Sequence, residues 1–184
     1  SNVCKNNCWY CGIRCDNEKI ARYRMTTDEI VETATNAKLW GCGTVVLQSG
    51  EDPFFTVGLL CDIVRRVKEE TDLAVTLSVG VRPLNALAQL KEAGCDRYLL
   101  RFETTSNALF SAIHPDESFE ARVQCLADLR ELGYQVGSGF MIGLPGSTPE
   151  MIANDILFAT RLKLDMIGCG PFLSHPDTPL AEKP

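Results

Sequence analysis

The chain has 184 residues, 45% of them apolar and 23% charged, with a net charge of −6. That is enough apolar material for one packed domain, so residues 1–184 are expected to form a single domain. No Lys/Arg run offers a nucleic-acid footprint or a membrane-surface patch. The longest apolar runs, such as Val45-Val46-Leu47, are strand-sized, so no transmembrane helix and no signal peptide are expected. The reading is therefore no nucleic acid, no membrane, and a cytoplasmic, reducing setting.

The chain opens on a cysteine cluster. There are nine cysteines, an odd number that argues against a complete disulfide framework. Four crowd between Cys4 and Cys15, whereas Cys42, Cys61, Cys95, Cys125 and Cys169 stand alone and read as small buried hydrophobes. After the cluster, Thr26 is placed to N-cap a helix over 27–39, with Glu29 at the capping-box position. Ile30, Ala34 and Ala37 repeat at helical spacing. A strand is expected at 44–48 (TVVLQ), then a helix near 57–70, a strand at 73–78 and a helix at 84–93. Strands at 97–101, 135–140 and 165–169 follow, with helices at 119–132 and 149–162. Gly41, Gly94 and Gly133 each stand between a helix and a strand, as C-cap glycines do, and Thr148-Pro149 puts proline at a first helical position.

This alternation argues for βα units around a parallel sheet. In a (β/α) barrel the chemistry lies on the loops after the strands. Here those are 48–53, 78–80, 101–104, 139–146 and 170–175. A full eight-stranded barrel takes about 250 residues, and five strands are visible. The expected fold is therefore α/β, a partial TIM-type (β/α) barrel lacking its first strand and last units, and the chain is expected to be an internal segment of a longer enzyme.

Cys4-Lys-Asn-Asn-Cys8-Trp-Tyr-Cys11 has the spacing C-x3-C-x2-C. Three thiolates on one short loop suit three irons of a [4Fe–4S] cubane and leave the fourth without a protein ligand. A zinc site completed by Cys15, a metal-free redox loop and a four-cysteine electron-transfer cluster remain open on spacing alone. Arg101 and Thr76 should point into the barrel. An arginine there needs an anionic partner, so Arg101 is the candidate for holding an anionic substrate, against an internal ion pair with Glu103. Among the two histidines, His114 reads as a surface or cap residue and His175 as part of a loop on the catalytic face. Neither is assigned acid–base work.

These features resemble the radical S-adenosylmethionine (radical SAM) family, and within it most of all the HydE type of [FeFe]-hydrogenase maturase, with methylornithine synthase and biotin synthase as the next relatives. The resemblance is carried by Cys-Gly-Ile-Arg at 11–14, Arg-Tyr-Arg-Met at 22–25 and Leu-Gln-Ser-Gly-Glu-Asp-Pro at 47–53. Arg-Tyr-Leu-Leu-Arg-Phe-Glu-Thr at 97–104 and Gly-Pro-Phe-Leu-Ser-His-Pro-Asp-Thr-Pro-Leu at 170–180 complete it. It implies that Cys4, Cys8 and Cys11 hold a [4Fe–4S] cluster, with SAM chelated to the open iron and Cys15 left out. It implies that Gln48, Ser49, Gly50 and Glu51 hold the amino end of SAM, with Ser78 on the neighbouring loop. Glu103 would meet the SAM ammonium or ribose, Arg122 the SAM carboxylate, and Tyr10 and Met141 the adenine. It further implies a small organometallic or amino-acid-derived substrate, a HydG-like companion maturase and a reductant protein. A rival within the resemblance is an amino-acid mutase like methylornithine synthase; a rival outside it is a non-catalytic iron–sulfur carrier.

Overall fold

The computed structural model describes residues 1–181. Its strands are β1 (Thr44–Gln48), β2 (Ala74–Ser78), β3 (Arg97–Leu99), β4 (Gln135–Ile142) and β5 (Met166–Pro171). They form one sheet in the order β1-β2-β3-β4-β5 with every pair parallel. The helices are α1 (Thr27–Leu39), α2 (Val57–Thr71), α3 (Leu84–Glu92), α4 (Asn107–Ile113), α5 (Phe119–Glu131) and α6 (Pro149–Arg161). Each successive strand is reached through at least one helix. This is the partial (β/α) barrel expected from the alternation of patterns.

Local chemistry explains the boundaries. Thr26 accepts from the Glu29 N–H while the Glu29 carboxylate accepts from Thr26 N, a complete capping box. α2 buries Leu60, Ile63, Val64, Val67 and Thr71, a stripe at helical spacing packed on the sheet. Alternation then sorts the strands into two faces. Val45, Leu47, Val75, Leu77, Tyr98, Val136 and Phe140 join the core beneath the helices. Their neighbours in sequence, among them Gln48, Thr76, Ser78, Arg97 and Met141, lie on the opposite, inner face.

Two expectations change. The segment 107–113 forms a helix, α4, that periodicity does not reveal, because two turns are too short to repeat a pattern. Its start is nonetheless legible: Ser106 caps it by accepting from Leu109 N. Among the lone cysteines, Cys61, Cys95 and Cys125 are buried, but Cys42 and Cys169 are exposed. Cys42 lies in the turn before β1, and Cys169 sits on the face of β5 that no helix of the described residues covers.

Candidate active site

The cysteine loop lies across the C-terminal ends of the strands and is tied down from two sides. On one side, Lys5 N donates to Glu51 O at 3.1 Å and Glu51 N donates to Cys4 Sγ at 3.3 Å. On the other, Trp9 N donates to Ile113 O at 2.9 Å and Asn7 N to Asp116 Oδ2 at 2.7 Å. The Arg22 guanidinium gathers the carbonyls of Asn2, Ile13, Arg14 and Asn17 at 2.6–3.0 Å, which fixes the turn after the third cysteine. Arg24 forks onto buried Asp52 with 2.6 and 3.0 Å bonds. The arginines of the 22–25 motif thus brace both loops.

The loop after β1 is shaped for close approach. A Cβ on Gly50 would stand 2.6 Å from Cys4 Cβ, so only glycine lets the cysteine loop pass there. Ser49 N donates to Ser78 O at 3.1 Å, and Gln48 pairs in register with Ser78. Gln48, Ser49, Gly50, Glu51 and Ser78 therefore form one rim beside Cys4.

Beyond β3 the chain turns sharply, with Glu103 at φ 65° and bridged to Phe140. Arg101 Nε donates to both Glu103 carboxylate oxygens at 3.1 Å, and Nη2 donates to Phe140 O at 2.7 Å. The internal ion pair is thus formed, and Arg101 turns only Nη1 toward the inner face, near Gly168. Arg122, buried on α5, donates to Arg101 O at 2.7 Å, pairs with Glu117 and lies over the Phe110 ring. Tyr10 and Met141 pack together around Ile113, Leu144 and Leu180. Thr76 is not part of this group. It pairs with Arg97 and lines a separate recess on the inner face with Thr44, Leu99, Gln135 and Met166.

His114 departs most from expectation. It is the C-cap of α4, as one reading had it, but it is 1% exposed rather than a surface residue. Its Nδ1 is 3.3 Å from Cys8 Sγ and 3.1 Å from Glu117 Oε2, and its Nε2 is 3.2 Å from the Tyr10 hydroxyl. The His175 ring packs against Gly12, next to Cys11. Glu117 was not anticipated; three residues after His114, in a loop without periodicity, only its spacing toward Arg122 hints at it.

The electrostatics divide two facing carboxyls. Burial pushes the Glu51 carboxyl up, and the neighbouring Glu117 carboxylate raises it further. Burial also works against Glu117, yet its hydrogen bond with His114 and the Arg122 charge outweigh that and hold it at about 2. Of the pair, Glu51 is the more readily protonated. Burial pushes the Cys8 and Cys11 thiols up, so a bound metal is what would keep them as thiolates.

A family profile described as the radical SAM superfamily matches residues 1–159. The chain belongs to the radical SAM superfamily. It is 51% identical over 183 residues to the [FeFe] hydrogenase maturase subunit HydE of Thermotoga maritima, a match covering 100% of this chain and 52% of that protein. The solved structure of methylornithine synthase (PylB) superposes with a TM-score of 0.93 at 32% identity, over 99% of this chain and 54% of that one. The maturase HydG from Carboxydothermus hydrogenoformans superposes at 0.85 with 22% identity, over 100% and 46%, which shows a shared fold. The chain thus spans about half the length of the relatives it matches.

Membership implies a [4Fe–4S] cluster and the use of SAM. The residues fit both. Three soft thiol donors share one loop, and backbone N–H groups of Asn6 and Glu51 already aim at Cys4 Sγ. Beside them Arg122 Nε and Glu117 Oε1 are buried without a hydrogen-bond partner among the described residues, which leaves polar capacity next to the cysteines for a ligand. No helix of the described residues is long and apolar enough to cross a membrane.

Proposed function

We propose that this chain is the core of a radical SAM enzyme that acts in assembly of the [FeFe]-hydrogenase diiron cluster, as a HydE-like maturase. Cys4, Cys8 and Cys11 would hold the cluster. When bound, the cluster and SAM supply a one-electron cleavage of the SAM C5′–S bond, giving methionine and a 5′-deoxyadenosyl radical.

The chain's own residues bind, orient and shield. Gly50 and its neighbours Ser49 and Glu51 offer backbone and carboxyl acceptors to the amino end of SAM. Glu103, held in its turn by Arg101, presents a second carboxylate. Arg122 supplies a cation for a carboxylate through its unpartnered Nε. Tyr10 and Met141 give an apolar wall for a flat ring. Arg101 Nη1 faces the inner space and would draw an anionic substrate. In the full-length enzyme, closure of the barrel over this inner face would keep water and stray hydrogen donors from a radical. The substrate proposed is a cysteine-bound iron carbonyl-cyanide complex delivered by a HydG-like maturase, with a low-potential reductant protein as electron source, in a reducing cytoplasm.

The observation that carries the choice is the 51% identity to a maturase subunit across the whole chain, against 32% for methylornithine synthase. A non-catalytic cluster carrier has no use for a second carboxylate and a buried arginine aimed beside the cysteines. The test uses reconstituted full-length enzyme with SAM, reductant, and either the iron complex or lysine. Production of 5′-deoxyadenosine or an adenosylated product with the iron complex supports the proposal. Lysine-dependent methylornithine formation, with no reaction on the iron complex, replaces it with the mutase.

A further inference from the structure

The His114 ring is held by an aromatic stack and through both of its nitrogens. The ring stacks on Phe110 with centroids 4.4 Å apart and planes 12° from parallel, and it meets Tyr10 edge-on at 5.3 Å. Nδ1 faces Cys8 Sγ at 3.3 Å and Glu117 Oε2 at 3.1 Å, while Nε2 faces the Tyr10 hydroxyl at 3.2 Å.

The partners decide where the proton sits. With Cys8 bound to iron as a thiolate and Glu117 ionised, both groups facing Nδ1 only accept hydrogen bonds. Nδ1 therefore carries the hydrogen. The phenol of Tyr10, which has a proton to give, donates to Nε2. The single Nδ1 hydrogen is thus shared between the Cys8 sulfur and Glu117 Oε2, while the Tyr10 phenol holds the other ring nitrogen.

The same three groups, Cys8, His114 and Glu117, lie within 4.8 Å of one another, close enough to ask whether they form a metal site of their own. The contacts argue for a hydrogen-bond array instead. Nδ1 and the Glu117 oxygen already face each other at bonding distance, and that oxygen is paired with Arg122, a cation that a metal ion would have to displace.

We propose that His114 is a positioning residue for the cluster: its Nδ1–H, fixed by the Tyr10 bond to Nε2 and shared with Glu117, donates to the Cys8 sulfur and raises the cluster's reduction potential. The inference rests on the reading of Cys8 as a cluster ligand. A donor at a ligand sulfur withdraws electron density and favours the reduced, more negative cluster; hydrogen bonds to the sulfurs are one of the levers that set such potentials. Outer partners of this kind also fix the ligand's orientation. Burial strengthens the effect, since His114 is 1% exposed and a hydrogen bond in a low-dielectric interior is electrostatically stronger than in water.

Two variants separate the hydrogen bond from the packing. His114→Phe keeps the stack on Phe110 and removes both nitrogens. His114→Asn keeps an amide N–H near the position of Nδ1. Full-length protein of each kind is reconstituted, its iron and sulfide are counted, and the reduced cluster is followed by EPR in a mediated dithionite titration. The Phe variant is expected to shift the midpoint negative by about threefold to tenfold in the one-electron equilibrium, tenfold being about 59 mV. The Asn variant is expected to recover most of that shift. Protein carrying 15N-histidine, with His114 unmutated and the substitution His175→Gln, should show weak nitrogen coupling to the reduced cluster, a readout that stands even where the Phe variant fails to load iron. An unmoved midpoint in loaded His114→Phe, or no coupling in the labelled protein, overturns the role of His114. A Cys8→Ala protein that keeps its site-differentiated cluster strikes instead at the ligand assignment.

Discussion

The backbone N–H of Glu51 donates to the Cys4 sulfur across 3.3 Å, joining two loops 47 residues apart in the chain. The bond exists because Gly50 has no side chain. A Cβ there would lie 2.6 Å from Cys4 Cβ and would also collide with the Val3 carbonyl oxygen. Neither obstacle is the end of a flexible side chain, so the loops themselves must part. Gly50→Ala is expected to destabilise the protein by about 1–3 kcal/mol, in the range of overpacked sites, and to lower iron uptake. Thermal melting of the apoprotein and iron per chain after reconstitution check this. Normal iron content in the alanine variant would show that the cysteine loop does not depend on the Glu51 contact.

Cys15 is exposed and joins the loop through its backbone, with its N–H donating to Asn6 O at 2.9 Å. Cys15→Ala is expected to retain the cluster's visible absorption and its EPR signal. Alanine at Cys4, Cys8 or Cys11 should abolish the site-differentiated cluster. Loss of the cluster in the Cys15 variant after anaerobic reconstitution would return the four-cysteine reading.

Asp52 anchors the loop after β1. Burial pushes its carboxyl up, but the bonds from Arg24, Phe54 N and Ser1 outweigh this and leave it below the ordinary value of 3.8. A carboxylate held low in the folded state stabilises the fold above its unfolded pKa. That contribution is lost as pH falls below about 3.8 through the lower folded value. Asp52→Asn is expected to cost about 1.5–3 kcal/mol at pH 7, the range for hydrogen bonds to a charged group. The gap to the unmutated protein should narrow as the pH is lowered past that point. Denaturant melts across pH 2–7 measure it, and a constant gap would show that the charge on Asp52 contributes nothing.

Much of this was legible from residue patterns, and what was not has physical causes. The capped α1, the stripe on α2 and the alternating strands show because each repeats over several turns or pleats. The rim of Gln48 to Glu51 shows because it ends a strand and carries a glycine. α4 stays hidden because it has only seven residues. His114 stays hidden because a histidine before proline gives no sign that four separate elements will close around it. The pairing of Arg101 was open between substrate and Glu103. Two residues apart on one strand end, they would share a face, and the left-handed turn at Glu103 is what folds the carboxylate back onto the guanidinium.

That turn supports the last prediction, on SAM affinity. Glu103 is 5% exposed, and Arg101 occupies both of its oxygens from one side. Glu103→Gln keeps the shape and removes the charge that would meet an ammonium. Since hydrogen bonds involving charged groups contribute about 1.5–3 kcal/mol each, SAM binding should weaken by about tenfold or more, with iron content unchanged. Arg122→Ala should behave differently. It leaves the buried Glu117 carboxylate without its cation, a change that costs about 3–5 kcal/mol, so the apoprotein should melt earlier as well as bind SAM less tightly. Arg122→Lys should recover part of the stability, because an ammonium still neutralises Glu117, but less of the affinity, because it lacks the fork of the guanidinium. Calorimetric SAM titration of cluster-loaded protein and melts of the apoproteins separate the two effects. Unaltered SAM affinity in both Glu103→Gln and Arg122→Ala would remove these residues from the SAM site.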